Sequence, residues 1–217
     1  MTLNVDMISD INSHGIDVKN RELFLHSYIA NSEEDPGVDH KMASMVYKNI
    51  RMLDNLSKDP ILIHMHSIGG NWNDGMTIYD SILLCESYVT IIAYGQAESM
   101  SSIILQAADN RVMTPNSYFM CHFGSSGYSG NYLDVQKGAA FEKRQTDKML
   151  DIYSDSCIKG KYFKEQYSGI TEEKVKNYLK RKLKDGDWYL DPHEAVFYGF
   201  ADCVLTTKKC PTINSVK

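Results

Sequence analysis

Two apolar, β-rich runs in the middle of the chain are each followed by a short turn and a helical pattern. The first run covers residues 60–66 and leads through Gly69 and Gly70 into an amphipathic helix. The second covers residues 88–94 and leads into a helix that we predict to begin at Ser99. Successive strand–turn–helix units favour right-handed crossovers between neighbouring parallel strands. The sequence therefore predicts an α/β fold with a largely parallel sheet.

Weaker patterns on both sides extend these units into one domain. We predict strands over 22–29, 111–113, 118–121, 188–190 and 201–205, a turn over 33–37, and helices after Asp39, over about 131–159, after Thr171 and between Asp191 and Gly199. The 131–159 helix is charged over much of its length, so it is either solvated or packed against a partner. We expect residues 1–20 to form a mobile N-terminal arm, 21–205 the single domain, and 206–217 a C-terminal tail.

Composition excludes several classes of function. The 217 residues, 43% of them apolar, are enough for a sizeable core. A net charge of −5 gives no support for nucleic-acid binding. The five cysteines are odd in number and form no C-x-x-C pair, which argues against a disulfide framework and a cysteine zinc site. No signal peptide or apolar run of about 20 residues is present, so we expect a reduced, cytosolic compartment and no membrane partner.

Ser99 stands at the junction between the second strand and its helix. The first turn of a helix has unpaired N–H groups and a partial positive charge, and both favour an oxyanion nearby. A serine at this position is therefore well placed to act as a nucleophile. The simpler interpretation is a helix N-cap, because serine is among the preferred capping residues.

Two further features lie at predicted strand ends. His122 ends the strand over 118–121 and precedes a glycine-rich stretch, and Gly69 and Gly70 offer bare backbone N–H groups to a ligand. Turns at the carboxyl ends of parallel strands share one sheet edge, and a Ser–His pair with backbone donors is suited to acyl transfer. The pattern around Ser99 is not G-x-S-x-G, so no α/β-hydrolase elbow is indicated. An ordinary tight turn and a strand-end histidine bonded to backbone stay open as alternatives.

Several motifs in order resemble the proteolytic subunit of the Clp protease. They are Ser67-Ile68-Gly69-Gly70, residues 75–80, residues 95–100, residues 115–122, Glu194-Ala195, Tyr198-Gly199 and Asp202. The resemblance runs from about Gly15 to Leu205. It implies a ClpP/crotonase-like α/β fold of repeated β-β-α units, with a mostly parallel sheet and a protruding strand–helix handle.

The resemblance also implies roles for particular residues. Ser99 is the implied nucleophile, His122 the general base and Asp187 the acid that orients the histidine. A solvated loop carboxylate is the alternative for Asp187, since the residues alone do not single it out. The backbone N–H groups of Gly70 and Met100 are the implied oxyanion hole. The implied substrate-binding residues are Gly69, Gly124, Ser125, Ser126 and Gly127.

Family members assemble two stacked seven-membered rings around a closed chamber, so the resemblance implies a homo-oligomer that hydrolyses unfolded polypeptides. The peptidase itself needs no cofactor, and ATP enters only through a partner AAA+ unfoldase. The region after His122, including the long helix, is implied in ring stacking.

The sequence departs from the family pattern at Ile68, at Glu98, at Gly186 and in the longer segment between His122 and Asp187. These departures suit a phage-encoded or accessory copy. Three alternatives follow: a catalytically weak or structural subunit of a mixed ring, a capsid-maturation protease, and an acyl-CoA hydratase-like enzyme of the same broad fold. In an enzyme of the last kind, a helix-start serine paired with a histidine would have no role.

Overall fold

The computed structural model describes residues 5–26 and 37–216, apart from the side chains of Val5, Asp6 and His26. The helices are α1 (Val5–His14), α2 (His40–Leu56), α3 (Trp72–Leu83), α4 (Met100–Leu105), α5 (Tyr132–Cys157), α6 (Lys161–Gln166), α7 (Glu172–Lys184) and α8 (Pro192–Tyr198), with a short 3₁₀ turn at Ile213–Ser215. The strands are β1 (Ile16–Asp17), β2 (Glu22–His26), β3 (Ile61–Ser67), β4 (Val89–Glu98), β5 (Asn110–Met113), β6 (Tyr118–Cys121), β7 (Trp188–Leu190) and β8 (Cys203–Val204).

The strands form one mixed sheet in which β4 is the branching strand. The main order is β1-β2-β3-β4-β5-β8, and β6 joins β4 on one side and β7 on the other. Pairing is parallel everywhere except between β1 and β2 and between β6 and β7. The predicted α/β fold with a mostly parallel sheet is confirmed.

β4 changes its partner along its length. Residues 90–93 pair with β5, and residues 96–98 pair with β6. Gly95 lies between the two halves with φ +59°, a conformation that glycine adopts without steric cost. The sequence predicted a strand that ends at residue 94, because glycine and polar residues follow it. The added half of β4 carries the chain to Ser99 in register with the end of β6.

The main core lies between the sheet and the helices packed on it. It includes Leu53, Ile63, Ile91, Phe119 and Tyr153, none of which is more than 1% exposed. The sequence places β-branched residues on both faces of β4, and this pattern is typical of strands buried on two sides.

A second, smaller cluster covers the opposite face of the sheet. Ile92 and Val112 pack there with Cys210 and Val216 from the C-terminal segment. The hydroxyl of Thr90 donates to the carbonyl of Val216 at 2.6 Å. Part of the predicted C-terminal tail is therefore seated on the sheet.

The chain forms one disulfide, between Cys203 and Cys210. The odd cysteine count led us to expect no disulfide framework, and this bond corrects that expectation. The turn after β8 brings the two Cα atoms within 6.4 Å, which is a bridgeable distance that spacing alone does not reveal. Cys85, Cys121 and Cys157 are free thiols.

Other differences concern element bounds. Residues 5–14 are helical and β1 pairs with β2, although we predicted no regular structure before residue 20. Helix α6 was also not predicted. The last part of the predicted strand over 22–29 and most of the predicted turn over 33–37 lie outside the described residues. The division into arm, domain and tail stays a prediction. Asp39, Thr171 and Asp191 cap α2, α7 and α8 as expected.

A partly buried ion pair joins β5 to the segment before β8. The Asp202 carboxylate accepts hydrogen bonds from Nε and Nη2 of Arg111 at 2.9 and 2.7 Å. It also accepts one from the backbone N–H of Arg111 at 2.9 Å. Burial raises the pKa of the Asp202 carboxyl, but the hydrogen bonds from Arg111 and the positive charges of Arg111 and Lys209 together outweigh burial, and the pKa is lowered. The folded state thus favours the ionised carboxylate.

We predict that Asp202→Ala lowers the free energy of unfolding at pH 7 by about 3 kcal/mol, because it leaves the Arg111 guanidinium buried without its carboxylate. A carboxyl whose pKa is lower in the folded than in the unfolded state stabilises the fold at pH values above its unfolded pKa of about 4. The loss of stability in the variant is therefore smaller at pH 3. Urea unfolding at both pH values measures it. The control is Asp147→Ala, which breaks the exposed 3.7 Å pair with Lys180. Equal effects of the two variants at pH 7 would contradict the prediction.

Candidate active site

Ser99 connects β4 to α4 in a conformation that is rare for a residue with a side chain. Its φ of +52° and ψ of −123° are held by hydrogen bonds from its N–H to the carbonyl of Met120 at 2.9 Å and from Ser102 to its carbonyl. Ser99 occupies the N-cap position, but its side chain makes no capping hydrogen bond. The simple capping interpretation is therefore wrong. The hydroxyl instead lies 2.8 Å from Nε2 of His122.

The register of three strands brings His122 and Asp187 to this hydroxyl. Glu98 pairs with Met120 across β4 and β6, and Cys121 pairs with Trp188 across β6 and β7. This register brings together Ser99 after β4, His122 after β6 and Asp187 before β7.

The contact between His122 and Asp187 completes a continuous hydrogen-bonded series with Ser99. Nδ1 of His122 lies 3.2 Å from Oδ1 of Asp187, and the two side chains are 24% and 51% exposed. When Nδ1–H is donated to the carboxylate, Nε2 has its lone pair free to accept the serine proton. Ser99 and His122, which the strand ends indicated, and Asp187, which only the family resemblance implied, thus lie together.

Glu98 adds a second carboxylate beside this series. It is partly buried on β4. Burial and the negative charge of Asp187 raise the pKa of Glu98, while His122 lowers it. Negative charge is therefore concentrated around the imidazole.

The Gly69-Gly70 turn is packed directly against Ser99. Its φ values are +91° and +153°, and a Cβ on Gly69 would lie 2.7 Å from both the Met100 nitrogen and the Ser99 Cβ. The carbonyl of Gly69 accepts from the N–H of Val38 at 2.7 Å, and the Val38 carbonyl accepts from Asn71. Only glycine fits this close approach.

Two residues that border the space in front of Ser99 have backbone N–H groups available. Gly70 and Met100 both line the cavity next to the Ser99 hydroxyl. Within the described residues, the N–H groups of Gly70 and Met100 have no backbone or side-chain acceptor. Such donors, placed at a helix start and a glycine turn, can bind a developing oxyanion.

The cavity in front of Ser99 has a volume of about 430 Å³. Of the predicted substrate-binding residues, Gly124, Ser125 and Ser126 line it, whereas Gly69 and Gly127 do not. The other walls of the cavity were not predicted from the sequence. They come from the start of α3, from α4, from the residue after His122 and from α5. Their residues are Asn71, Trp72, Ile103, Phe123, Glu142, Gln145, Thr146, Met149 and Tyr153. The spacing of the α5 residues follows a single helix face, and this was the signal that could have found them.

The described residues contain neither a cluster of metal ligands nor a helix suited to span a bilayer. Among them, no three His, Cys, Asp or Glu side chains gather as ligands for a metal ion. No helix within residues 5–26 and 37–216 combines the length and apolar character that a bilayer span requires.

This geometry defines the class of an α/β serine hydrolase, and comparison with known proteins defines the family. Residues 18–208 match the Clp protease family. The chain therefore belongs to the Clp protease family and is a serine peptidase of the Clp type.

Individual relatives agree with this assignment. The chain is 29% identical over 171 residues to the ATP-dependent Clp protease proteolytic subunit of Deinococcus radiodurans, a match that covers 77% of this chain and 76% of the relative. It is 29% identical over 175 residues to the ATP-dependent Clp protease proteolytic subunit 2 of Pseudomonas aeruginosa, covering 80% and 79%. A solved structure of a ClpP1 mutant from Listeria monocytogenes superposes with a TM-score of 0.70 at 21% identity, covering 92% of this chain and 96% of that one.

We predict that Gly69→Ala slows the reaction of Ser99 with a fluorophosphonate by about 10²-fold, the effect typical of losing one oxyanion donor. The added Cβ would displace Ser99 and the Met100 N–H. Labelling rates measured by intact-protein mass spectrometry test this. Gly169→Ala is the matched control, because Gly169 has a φ of +63° but no atom within 4 Å of its Cβ position. Equal rates in the two variants would show that the turn does not support Ser99.

Proposed function

We propose that Ser99, His122 and Asp187 are the catalytic residues of a serine endopeptidase. The observation that carries the proposal is the hydrogen-bonded series from the Ser99 hydroxyl through both nitrogens of His122 to Asp187. His122 takes the serine proton as Ser99 attacks a peptide carbonyl, and later gives it to the leaving amine. Asp187 holds the imidazole in the required tautomer and stabilises the imidazolium.

The backbone N–H groups of Gly70 and Met100 bind the oxyanion of the tetrahedral intermediate. Their support is their position on the cavity wall beside Ser99 and the lack of a competing acceptor among the described residues. Because they are fixed by the glycine turn and the start of α4, they need no rearrangement as charge develops. This residue set completes peptide hydrolysis without a metal or an organic cofactor.

The segment after His122 binds the substrate backbone. Gly124, Ser125 and Ser126 line the cavity, and they follow β6 directly in the chain. An extended peptide can pair with such a segment as an added strand, which uses backbone groups and so accepts many sequences.

We further propose that the chain works as a homo-oligomer of stacked heptameric rings. The support is the first half of α5, which exposes the apolar side chains of Tyr132, Leu133, Val135 and Phe141. Several exposed apolar residues within three turns of one helix are typical of an element that is covered in an assembly. Rings enclose the active sites, so that only unfolded polypeptides reach them.

Delivery of folded proteins to such a chamber requires an AAA+ unfoldase that consumes ATP. The curated relatives are named as subunits of an ATP-dependent protease, and this supports the same arrangement here. Because unfolding is driven by ATP, we place the protein in the cytoplasm. A phage-encoded or accessory origin stays a prediction.

The catalytically weak structural subunit is the less favoured alternative. Ser99, His122 and Asp187 come from one chain and lie within hydrogen-bond distance without a partner subunit. A subunit with a purely structural role does not require this alignment.

We predict that Ser99→Ala abolishes peptide hydrolysis and fluorophosphonate labelling, and that Asp187→Asn lowers kcat by about 10⁴-fold by favouring the wrong histidine tautomer. Hydrolysis of an internally quenched peptide and mass mapping of the label test both variants. Asp185→Asn, two residues away, is the matched control. Labelling of a different serine, or full activity of Asp187→Asn, would refute the assignment.

We predict that the 24.7 kDa chain elutes as two stacked seven-membered rings, and that Leu133→Glu reduces the particle to single rings by placing a charge on the apolar surface of α5. Size-exclusion chromatography with light scattering measures the mass. A stable monomer of the unaltered chain would contradict the ring proposal. An unchanged mass in Leu133→Glu would exclude Leu133 of α5 from ring stacking.

A further inference from the structure

One face of α5 forms a wall of the active-site cavity. Glu142, Gln145, Thr146 and Met149 follow one another at intervals of three, one and three residues, so they lie on the same side of the helix. Met149 is buried, and the other three are partly exposed to the cavity. The wall therefore runs from an apolar end to a polar end.

The apolar end lies beside the Ser99 segment. Tyr153 of α5 is hydrogen-bonded to the Ser102 hydroxyl, which donates to the carbonyl of Ser99, and Met149 lines the cavity one turn from Tyr153. Glu142 lies seven residues before Met149 on α5, which corresponds to about 10 Å along the helix axis at about 1.5 Å per residue. A side chain that enters beside Ser99 therefore meets apolar surface first and the Glu142 carboxylate at greater distance.

Apart from the imidazole of His122, the groups around the cavity that can carry charge are acidic. Among the described residues that line it, Glu142 and His122 are the only ones that can ionise near neutral pH, and Glu98 and Asp187 stand next to the imidazole. The neighbouring basic residues of α5, Lys143 and Arg144, are exposed and do not line the cavity. In the described part of the chain, Glu142 forms no ion pair with a basic side chain.

In the proposed mechanism, the substrate residue that supplies the attacked carbonyl is next to this cavity, which has room for its side chain. Its carbonyl carbon must lie at the Ser99 hydroxyl with its oxygen near the N–H groups of Gly70 and Met100, and the cavity opens directly from these atoms. Lysine and arginine side chains combine an aliphatic stem with a cationic head, which matches the apolar end and the distant carboxylate.

We propose that Glu142 makes this peptidase prefer polypeptides with lysine or arginine at the residue whose carbonyl Ser99 attacks. The inference rests on the proposed function and adds its substrate class. Gln145 and Thr146 complete the polar end, where their side chains accept hydrogen bonds from the cationic head.

Internally quenched peptides that differ only at this residue, as lysine, methionine or glutamate, test the proposal on the assembled full-length protein. We expect kcat/KM to be highest for lysine. In Glu142→Gln the ratio of kcat/KM for lysine over methionine should fall about tenfold, the contribution of one charge-assisted hydrogen bond. In Glu142→Lys, glutamate should be cleaved faster than lysine.

Asp147→Asn is the matched control, since Asp147 lies on α5 outside the cavity and faces Lys180. This variant should keep the selectivity of the unaltered protein. A preference for methionine in the unaltered protein, or the same ratio in Glu142→Gln, would overturn the inference.

Fluorophosphonate labelling of Ser99, measured on the same preparations, separates the two proposals. Labelled protein that cleaves the methionine peptide best refutes the lysine preference alone. Protein that neither labels at Ser99 nor cleaves any peptide refutes the proposed function, and the preference with it.

Discussion

The change of partner along β4 is the constraint on which the rest of the structure depends. The first half of the strand is central to the parallel sheet, while the second half pairs with β6 outside the main strand order. Because β6 also pairs with β7, one ladder fixes the residues after β4, after β6 and before β7 relative to one another. A shift of one residue in either pairing would turn His122 or Asp187 to the opposite face of the sheet.

Several features could be predicted from the sequence because their signals are local. The two strand–turn–helix units gave the parallel sheet, and Asp39, Thr171 and Asp191 gave the starts of three helices. Ser99 and His122 were found because they follow apolar strands. Asp187 could not be found in this way, because its position depends on the antiparallel pairing of β7 with β6. That pairing brings it to His122, which is 65 residues away in sequence.

Other features depend on tertiary contacts and gave no clear sequence signal. The second half of β4 resembles a turn in composition, and its strand geometry comes from pairing with β6. The α5 face that borders the cavity has the spacing of one helix face, but it is polar from Glu142 to Thr146, so the spacing suggested solvent or a partner rather than an active site. The Cys203–Cys210 bond depends on a turn after β8 that residue spacing does not reveal.

The backbone of Ser99 has a consequence for how selection acts on this site. A φ of +52° with a ψ of −123° is accessible to glycine and costs other residues of order 1–3 kcal/mol. Selection for stability alone would therefore place glycine at this junction. The serine found there instead supplies a hydroxyl group at a cost in stability. A chain of this family that had become a purely structural subunit would be free to recover the lost stability by exchanging this one residue.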